Sequence, residues 1–171
     1  MSGWLSERSI TGGVDSVPLP LDRGGLWLCG RHFVGPDVEA ALRKTNASMV
    51  VCLNERHEIE DRYPDYARWL AGDHRALWHP IPDLGAPDIT EAMALLGRLR
   101  SHVEHDETLL LHCGAGIGRA GTIAAGLLMT LGVPHDEALL VVQASRPLAG
   151  PEAGAQRLLL ERLAGIVSAR D

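Results

Sequence analysis

The sequence predicts an α/β fold: a single domain with a central, mostly parallel sheet flanked by helices. Three observations predict it. Short apolar runs alternate along the chain with segments of helical periodicity, the order that a layered sheet-and-helix protein requires. Two of those runs are near-continuous, as strands covered on both faces are. At 171 residues and 46% hydrophobic, the chain has the size of one ordinary domain and can bury a sizeable core without metals or disulfides.

The elements follow in order. Residues 1–24, MSGWLSERSITGGVDSVPLPLDRG, mix Gly, Pro and Ser with scattered apolar residues and read as an irregular lead-in, which places the domain at 25–171. GLWLCGR (25–31) is a short strand, and PDVEAALRKT (36–45) has Pro36 near a helix start with Val38, Ala41 and Leu42 at helical spacing. ASMVVCLN (47–54) is a largely continuous apolar, β-branched run that completes a βαβ unit. DRYPDYARWLAG (61–72) becomes helical after Pro64, ALWHPI (76–81) is a strand, and PDLGAPD (82–88) is a loop. Ile89, Ala92, Met93, Leu96, Leu99 and Val103 then recur at 3.6-residue spacing along one long amphipathic helix. TLLLHC (108–113) is a buried strand. Helices follow at 119–132, ending at Gly132, at 134–146, stopped before Pro147, and from about Pro151 to about Val167.

Composition narrows the function. A formal net charge of −6, with both signs mixed along the chain, leaves no basic stripe to neutralise a nucleic-acid backbone, so DNA and RNA are disfavoured as partners. Cys29, Cys52 and Cys113 are too few and too widely spaced for a structural zinc site or a disulfide framework. No opening segment reads as a signal peptide, and no apolar run approaches the roughly 20 residues that span a bilayer. The expected setting is a reducing cytoplasm, with no metal and no cofactor.

HCGAGIGRAGT (112–122) carries the chemistry. Glycines at 114, 116, 118 and 121 let the backbone turn between a strand and a helix and bring its N–H groups close to a ligand, which makes an anion site. Gly116, Gly118 and Gly121 also spell the G-x-G-x-x-G of dinucleotide-binding folds. That pattern needs a second strand after the helix with an acidic residue about 20 positions on, whereas another helix follows here. A second reading uses His112, Cys113 and Arg119. A cysteine at the mouth of an amide-lined loop, facing a helix start and an arginine, has its thiolate stabilised and becomes a nucleophile. Arg119 offers a planar fork that matches two phosphoryl oxygens, and Gly114, Ala115, Gly116, Ile117 and Gly118 close a cradle around a tetrahedral anion. The competing structural reading makes Cys113 a small buried residue ending a strand, and His112 a hydrogen-bonded core histidine. His112 is assigned only a supporting role, fixing the loop and the thiolate.

H-C-x5-R between a strand and a helix resembles the signature loop of the cysteine-dependent protein tyrosine phosphatase superfamily. Chain length and element spacing resemble its dual-specificity and kinase-associated branch most, over roughly Gly25 to Leu163. The resemblance implies that Cys113 attacks phosphorus to form a phosphocysteine, that Arg119 binds the phosphoryl oxygens and that no metal takes part. It also implies a phosphorylated protein as substrate and a proton donor on a movable loop. Asp83 matches that acid, because Asp88, followed by Glu91, is explained as the N-cap of the next helix. The family usually has Ser or Thr after the arginine to help the cysteine leave. Ala120 stands there, so a slowed second step is expected unless Thr122 or a water substitutes. Gln156 matches a water-orienting glutamine of some members, or is a solvated helix residue. Cys52 matches a cysteine that in several members traps the oxidised nucleophile as a disulfide, which would make the site redox-sensitive, or is a plain buried strand residue. Cys29 reads as structural. The charges of NERHEIEDRY (54–63) read as a solvated face with at most a substrate contact. Two rivals stay open: a phosphate- or phosphopeptide-binding module with little turnover, and a phosphoinositide phosphatase, although the loop lacks the lysines such enzymes tend to carry. The short chain, without obvious pocket-deepening insertions, favours a shallow site.

Overall fold

TLLLHC is apolar on both of its faces, and it becomes the centre of the sheet. Strands β1 (Val14–Val17), β2 (Gly25–Gly30), β3 (Met49–Cys52), β4 (Ala76–Trp78) and β5 (Thr108–Cys113) are ordered β1-β2-β5-β3-β4. In the computed structural model, which describes residues 7–170, the last four strands of that order run parallel and β1 is an antiparallel edge. Leu109, Leu110 and Leu111 are wholly inaccessible to solvent. Because side chains alternate across a pleat, Leu109 and Leu111 enter one core cluster and Leu110 the other.

Helices cover both faces. Helix α3 (Val38–Thr45) and α4 (Pro64–Gly72) cover the side of Leu110, where Leu42, Tyr66 and Leu70 are buried. The other side is covered by α5 (Ile89–Glu104), α6 (Gly118–Thr130), α7 (His135–Ser145) and α8 (Gly154–Ser168). Their starts obey local chemistry: Asp37 accepts from the Ala40 N–H at 3.0 Å, Asp88 from the Glu91 N–H at 2.8 Å, and Pro64 opens α4. Helix α6 is buried almost all round, which its small residues allow. At Gly121 an added Cβ would lie 2.2 Å from the Gly150 nitrogen, so this glycine serves a close helix-to-loop approach rather than a turn. Among the described residues no helix is long and apolar enough to cross a membrane.

The structure corrects the lead-in. Residues 1–6 lie outside the described residues, but Glu7–Thr11 forms a short helix, α1, and β1 pairs with β2 in the register Val14↔Cys29 to Val17↔Leu26. Residues 7–17, expected to be irregular, thus include a short helix and an edge strand. VDSV has no strand pattern of its own; edge pairing and an ion pair to Asp15, distant in sequence, place it. Two further short elements follow strands: α2 (Arg31–Val34) after β2 and a 3-10 turn (Arg56–Glu58) after β3. The strand expected over 76–81 stops at Trp78 ahead of Pro80, which has no N–H to donate to a ladder.

Gly121→Ala should lower unfolding free energy by about 2 kcal/mol or more, since backbone rather than a flexible side chain meets the new methyl. Urea unfolding of the pair of proteins measures it.

Candidate active site

The loop Cys113–Arg119 leaves the end of β5 and enters α6. Its peptide orientation follows from where its carbonyls are held. Gly114 O accepts from the Arg31 N–H (3.0 Å), Ala115 O from Arg146 Nη2 (2.8 Å) and Gly116 O from Arg146 Nε (3.0 Å). Ile117 O accepts from the N–H groups of Gly121 and Gly150, each at 3.0 Å. In a trans peptide the next N–H points opposite to the C=O. With those four carbonyls turned outward, the amides of Ala115, Gly116, Ile117 and Gly118 turn inward, toward the cleft. Gly116 makes the tightest step: its φ is 74°, and a Cβ there would sit 2.3 Å from Cys29 O.

Arg146 is the residue that sequence reasoning missed most completely. It ends α7 just before Pro147 and looks like an ordinary helix stop, yet it is 3% exposed. Besides the two loop carbonyls, its Nη1 reaches Gly13 O (3.3 Å) and Asp15 Oδ2 (2.8 Å). Asp15 also pairs with Arg8. Burial works against the Asp15 charge, but the two arginines hold its carboxyl below the usual range.

Arg119 projects from the first turn of α6 and is 4% exposed. Its guanidinium meets Glu58 in a two-pronged pair, Nη1 to Oε2 and Nη2 to Oε1, both at 2.8 Å, and Nη1 also donates to Ile81 O at 2.8 Å. Burial raises the Glu58 carboxyl. Hydrogen bonds from Arg119, the Glu55 N–H and Asn54, with the Arg119 charge, outweigh it and bring the group down to about 2. Glu58 is thus an anion that fixes the plane of the Arg119 fork. The charged stretch 54–63, read as a solvated face, hides this: Glu58 has a side-chain exposure of 12%, and its only local signal is the Glu55-to-Glu58 capping box.

His112 is buried beneath the loop. Burial pushes its imidazole down to about 4, so it is neutral at pH 7. Nδ1 lies 3.2 Å from Cys113 O, an acceptor, so Nδ1 carries the proton; Nε2 then accepts from the Tyr66 hydroxyl at 2.6 Å. His112 thus meets the loop through a hydrogen bond to the Cys113 carbonyl.

Asp83 faces the same cleft as Cys113 and Arg119. Its Oδ1 lies 3.5 Å from Arg119 Nη2 and accepts from the Leu84 N–H at 3.0 Å. The loop that carries Asp83 is anchored on both sides of it. Ile81 N–H donates to Leu53 O, while Gly85 N–H donates to Pro82 O and closes a turn with Leu84 at φ 61°. Asp88 caps α5, as expected, and stays away from the chemistry. Gln156 is 1% exposed and both ends of its amide are engaged: Oε1 accepts from the Glu152 N–H (2.7 Å) and Nε2 donates to Gly85 O (3.2 Å). It ties the start of α8 to the loop that carries Asp83 and is neither a solvated helix residue nor a free amide. Thr122 donates its hydroxyl to Gly118 O at 2.7 Å, along its own helix, so it does not stand in for the hydroxyl missing at Ala120.

The two readings of Cys52, redox partner of Cys113 or plain buried strand residue, differ in the face of the sheet they require. Cys52 is in register with His112, not Cys113, and is buried with Cys29, Val50 and Tyr66 on one face, whereas Cys113 belongs to the opposite cluster. Bridging would require backbone movement. All three cysteines are free, and burial pushes the Cys52 thiol up to about 12.

The fork of Arg119, the inward amides, Cys113 and Asp83 line one cleft of about 740 Å³. Comparison with known proteins agrees with the geometry. A family model described as the DSP-PTPase phosphatase domain of Swiss Army Knife proteins matches residues 34–162. Cyclin-dependent kinase inhibitor 3 of Sus scrofa is 42% identical over 53 residues, 31% of this chain and 25% of that protein; the Homo sapiens protein is 38% identical over the same length. The match thus spans about a quarter of the length of these curated relatives. The solved structure of Tk-PTP in the active form superposes with a TM-score of 0.67 at 26% identity, covering 85% of this chain and 93% of that one. A kinase associated phosphatase (KAP) structure with its catalytic cysteine replaced by serine gives 0.71 at 21% identity, covering 92% and 96%, a likeness of fold.

Arg146→Ala orphans two loop carbonyls and one side of Asp15. It should lower stability by about 3 kcal/mol and weaken binding of inorganic phosphate, with Arg146→Lys failing to restore the two-pronged contact. Urea unfolding and calorimetric phosphate titration test both parts. Stability should also depend on acid in two windows. His112 stays neutral in the fold while the unfolded chain takes up a proton near 6.5, so stability falls as pH drops from about 6.5 to about 4. Glu58 is depressed from 4.5 to about 2, so its contribution is full above 4.5 and is lost as pH falls toward 2. The urea midpoint should therefore fall across both windows, and Glu58→Gln should flatten the lower one.

Proposed function

Because the chain belongs to the DSP-PTPase phosphatase domain family of Swiss Army Knife proteins, we propose that it hydrolyses phosphate monoesters on proteins through a phosphocysteine, with phosphotyrosine, and phosphoserine or phosphothreonine beside it, as the substrate class. The observation that carries the reading is the pairing of Cys113 and Arg119 at the two ends of an amide-lined loop, with Asp83 3.5 Å from the Arg119 fork in the same cleft.

The steps follow from the chemistry of these residues. Cys113 Sγ, as thiolate, attacks phosphorus and the bond from phosphorus to the ester oxygen breaks, its electron pair leaving with that oxygen. Asp83 supplies the proton that makes the departing group a neutral alcohol or phenol. Three equatorial oxygens gather charge and meet the inward amides and Arg119, whose orientation is set beforehand by Glu58. Water then attacks phosphorus, the S–P bond breaks back to thiolate, and Asp83 recovers its proton. A thiol nucleophile of this kind belongs in a reducing compartment such as the cytoplasm.

One observation favours a second reading. Ala120 has no hydroxyl and Thr122 spends its own on Gly118 O, so leaving-group help for Cys113 is absent from both positions. A module that binds phosphopeptides with little turnover would look like this. The phosphoinositide alternative has no such support, since GAGIG places no cation inside the loop.

Stopped-flow hydrolysis of p-nitrophenyl phosphate without metal separates the readings. The parent should show a burst that Cys113→Ser abolishes, and Ala120→Ser should raise the steady rate, by roughly tenfold if the missing hydroxyl is worth about one hydrogen bond to a charged group. Absence of both burst and turnover, with phosphopeptide binding kept by Cys113→Ser, would point to the binding module.

A further inference from the structure

Arg8, Arg31, Arg119 and Arg146 line the cleft, and three of these four arginines are engaged. Arg8 and Arg146 share Asp15, Arg146 also holds two loop carbonyls, and Arg119 meets both oxygens of Glu58. Arg31 differs. Among the described residues its guanidinium forms one ion pair, Nη1 to Glu58 Oε1 at 3.9 Å, which is too long for a hydrogen bond. That oxygen already accepts from Arg119 Nη2 at 2.8 Å and from Asn54 Nδ2 at 3.0 Å. Two guanidiniums therefore face one carboxylate, and the carboxylate is bound to the other one. Arg31, whose side chain is 33% exposed, keeps a charge and a planar set of donors turned to the cleft.

Its position is set by the loop. The Arg31 N–H donates to Gly114 O at 3.0 Å, which pins the backbone of Arg31 to the residue after the nucleophile. Nη1 lies 4.0 Å from the place a Cβ on Gly114 would take, and Arg119 Nη2 lies 3.4 Å from the same place. The two guanidiniums thus flank Gly114, one inside the anion cradle and one beside it. A phosphoryl group in the cradle takes up the inward amides and Arg119, so Arg31 meets whatever stands next to that group. Consecutive Cα atoms are about 3.8 Å apart, which brings a side chain one or two positions from a phosphorylated residue within reach. The chemistry that answers a free guanidinium fork is a carboxylate or a second phosphoryl group. Because the chain carries a net charge of −6, attraction for an acidic peptide has to be local, and Arg31 supplies it at the site itself.

We propose that Arg31 is a specificity-determining residue that binds an anionic side chain, carboxylate or phosphate, one or two positions from the phosphorylated residue of a protein substrate. This rests on the phosphatase reading above and narrows its substrate class. Arg31 acts on the neighbour of the reacting group, not on phosphorus.

The test uses the full chain and phosphotyrosine peptides of one sequence, with Gln, Glu or phosphoserine placed in turn at the two positions on either side. Hydrolysis is followed at the tyrosine. In the parent, Glu at one of these positions should raise kcat/KM over Gln by about fivefold, mainly through KM, the size of a partly exposed ion pair. Phosphoserine there should raise it further. Arg31→Gln should bring both ratios to about 1, and Arg31→Lys should keep part of them, since the charge stays while the fork is lost. Each ratio is taken within one protein, so a general loss of activity or folding in a variant cancels. A response to Glu and phosphoserine alike assigns a general anion site, and a response to phosphoserine alone assigns doubly phosphorylated segments; either supports the proposal. Ratios near 1 in the parent, or ratios unchanged in Arg31→Gln, would overturn it while leaving the phosphatase reading intact. So would an Arg31 effect confined to soluble inositol phosphates, which would point to a lipid headgroup instead. If the parent shows no Cys113-dependent hydrolysis of any peptide or of p-nitrophenyl phosphate, the phosphatase reading fails and this inference falls with it.

Discussion

A loop that turns its amides toward an anion must turn its carbonyls away, and the fold has to receive them. Four consecutive carbonyls of the Cys113–Arg119 loop are taken up by groups from β2's exit, α6, α7's end and the loop before α8. Arg146 meets two of them at once, which a single backbone donor does not do. Buried carbonyls without partners would cost more than the loop's other contacts contribute, so the cradle exists only because the surrounding elements supply donors. The strand order serves this constraint: β5 lies between β2 and β3, and the residues that follow β2 and β3, Arg31 and Glu58, both reach the loop or its arginine.

Charge is arranged in the same economical way. Two buried arginines each have a carboxylate partner, Arg119 with Glu58 and Arg146 with Asp15. Buried pairs of this kind add little net stability, because desolvation offsets attraction. Their value lies in orientation. Glu58 presents the Arg119 fork in a fixed plane, and Asp15 holds Arg146 against the back of the loop while connecting it to α1 through Arg8. His112 adds a neutral contact from below, its tautomer set by Tyr66 and the Cys113 carbonyl.

The site is legible in the sequence where function depends on neighbours in the chain. Cys113 and Arg119 share one loop, and Asp83 stands out because Asp88 is explained by the helix it caps. Glu58, Arg146 and Asp15 were hidden because each looks ordinary in its own segment: a charge in a charged stretch, an arginine before a proline, an aspartate in a lead-in. Cys52 is the reverse case. Its place at the end of a strand next to β5 fits either reading, but pairing register, which no local pattern reveals, puts it opposite His112 and on the other face from Cys113.

By itself, then, the sequence determined the layered α/β architecture and the position of the buried central strand, and it singled out Cys113, Arg119 and Asp83, which the fold brings into one cleft, since periodicity, turn chemistry and an eight-residue motif are all local. The tertiary structure decided how the loop's peptides face, which carboxylates hold the two arginines, which face Cys52 occupies, that Val14–Val17 joins the sheet and that Arg8–Gly12 lines the cleft. Those choices depend on contacts between segments up to about 130 positions apart, such as Asp15 with Arg146, and on strand register. Both arise only when the chain is closed into one packed body.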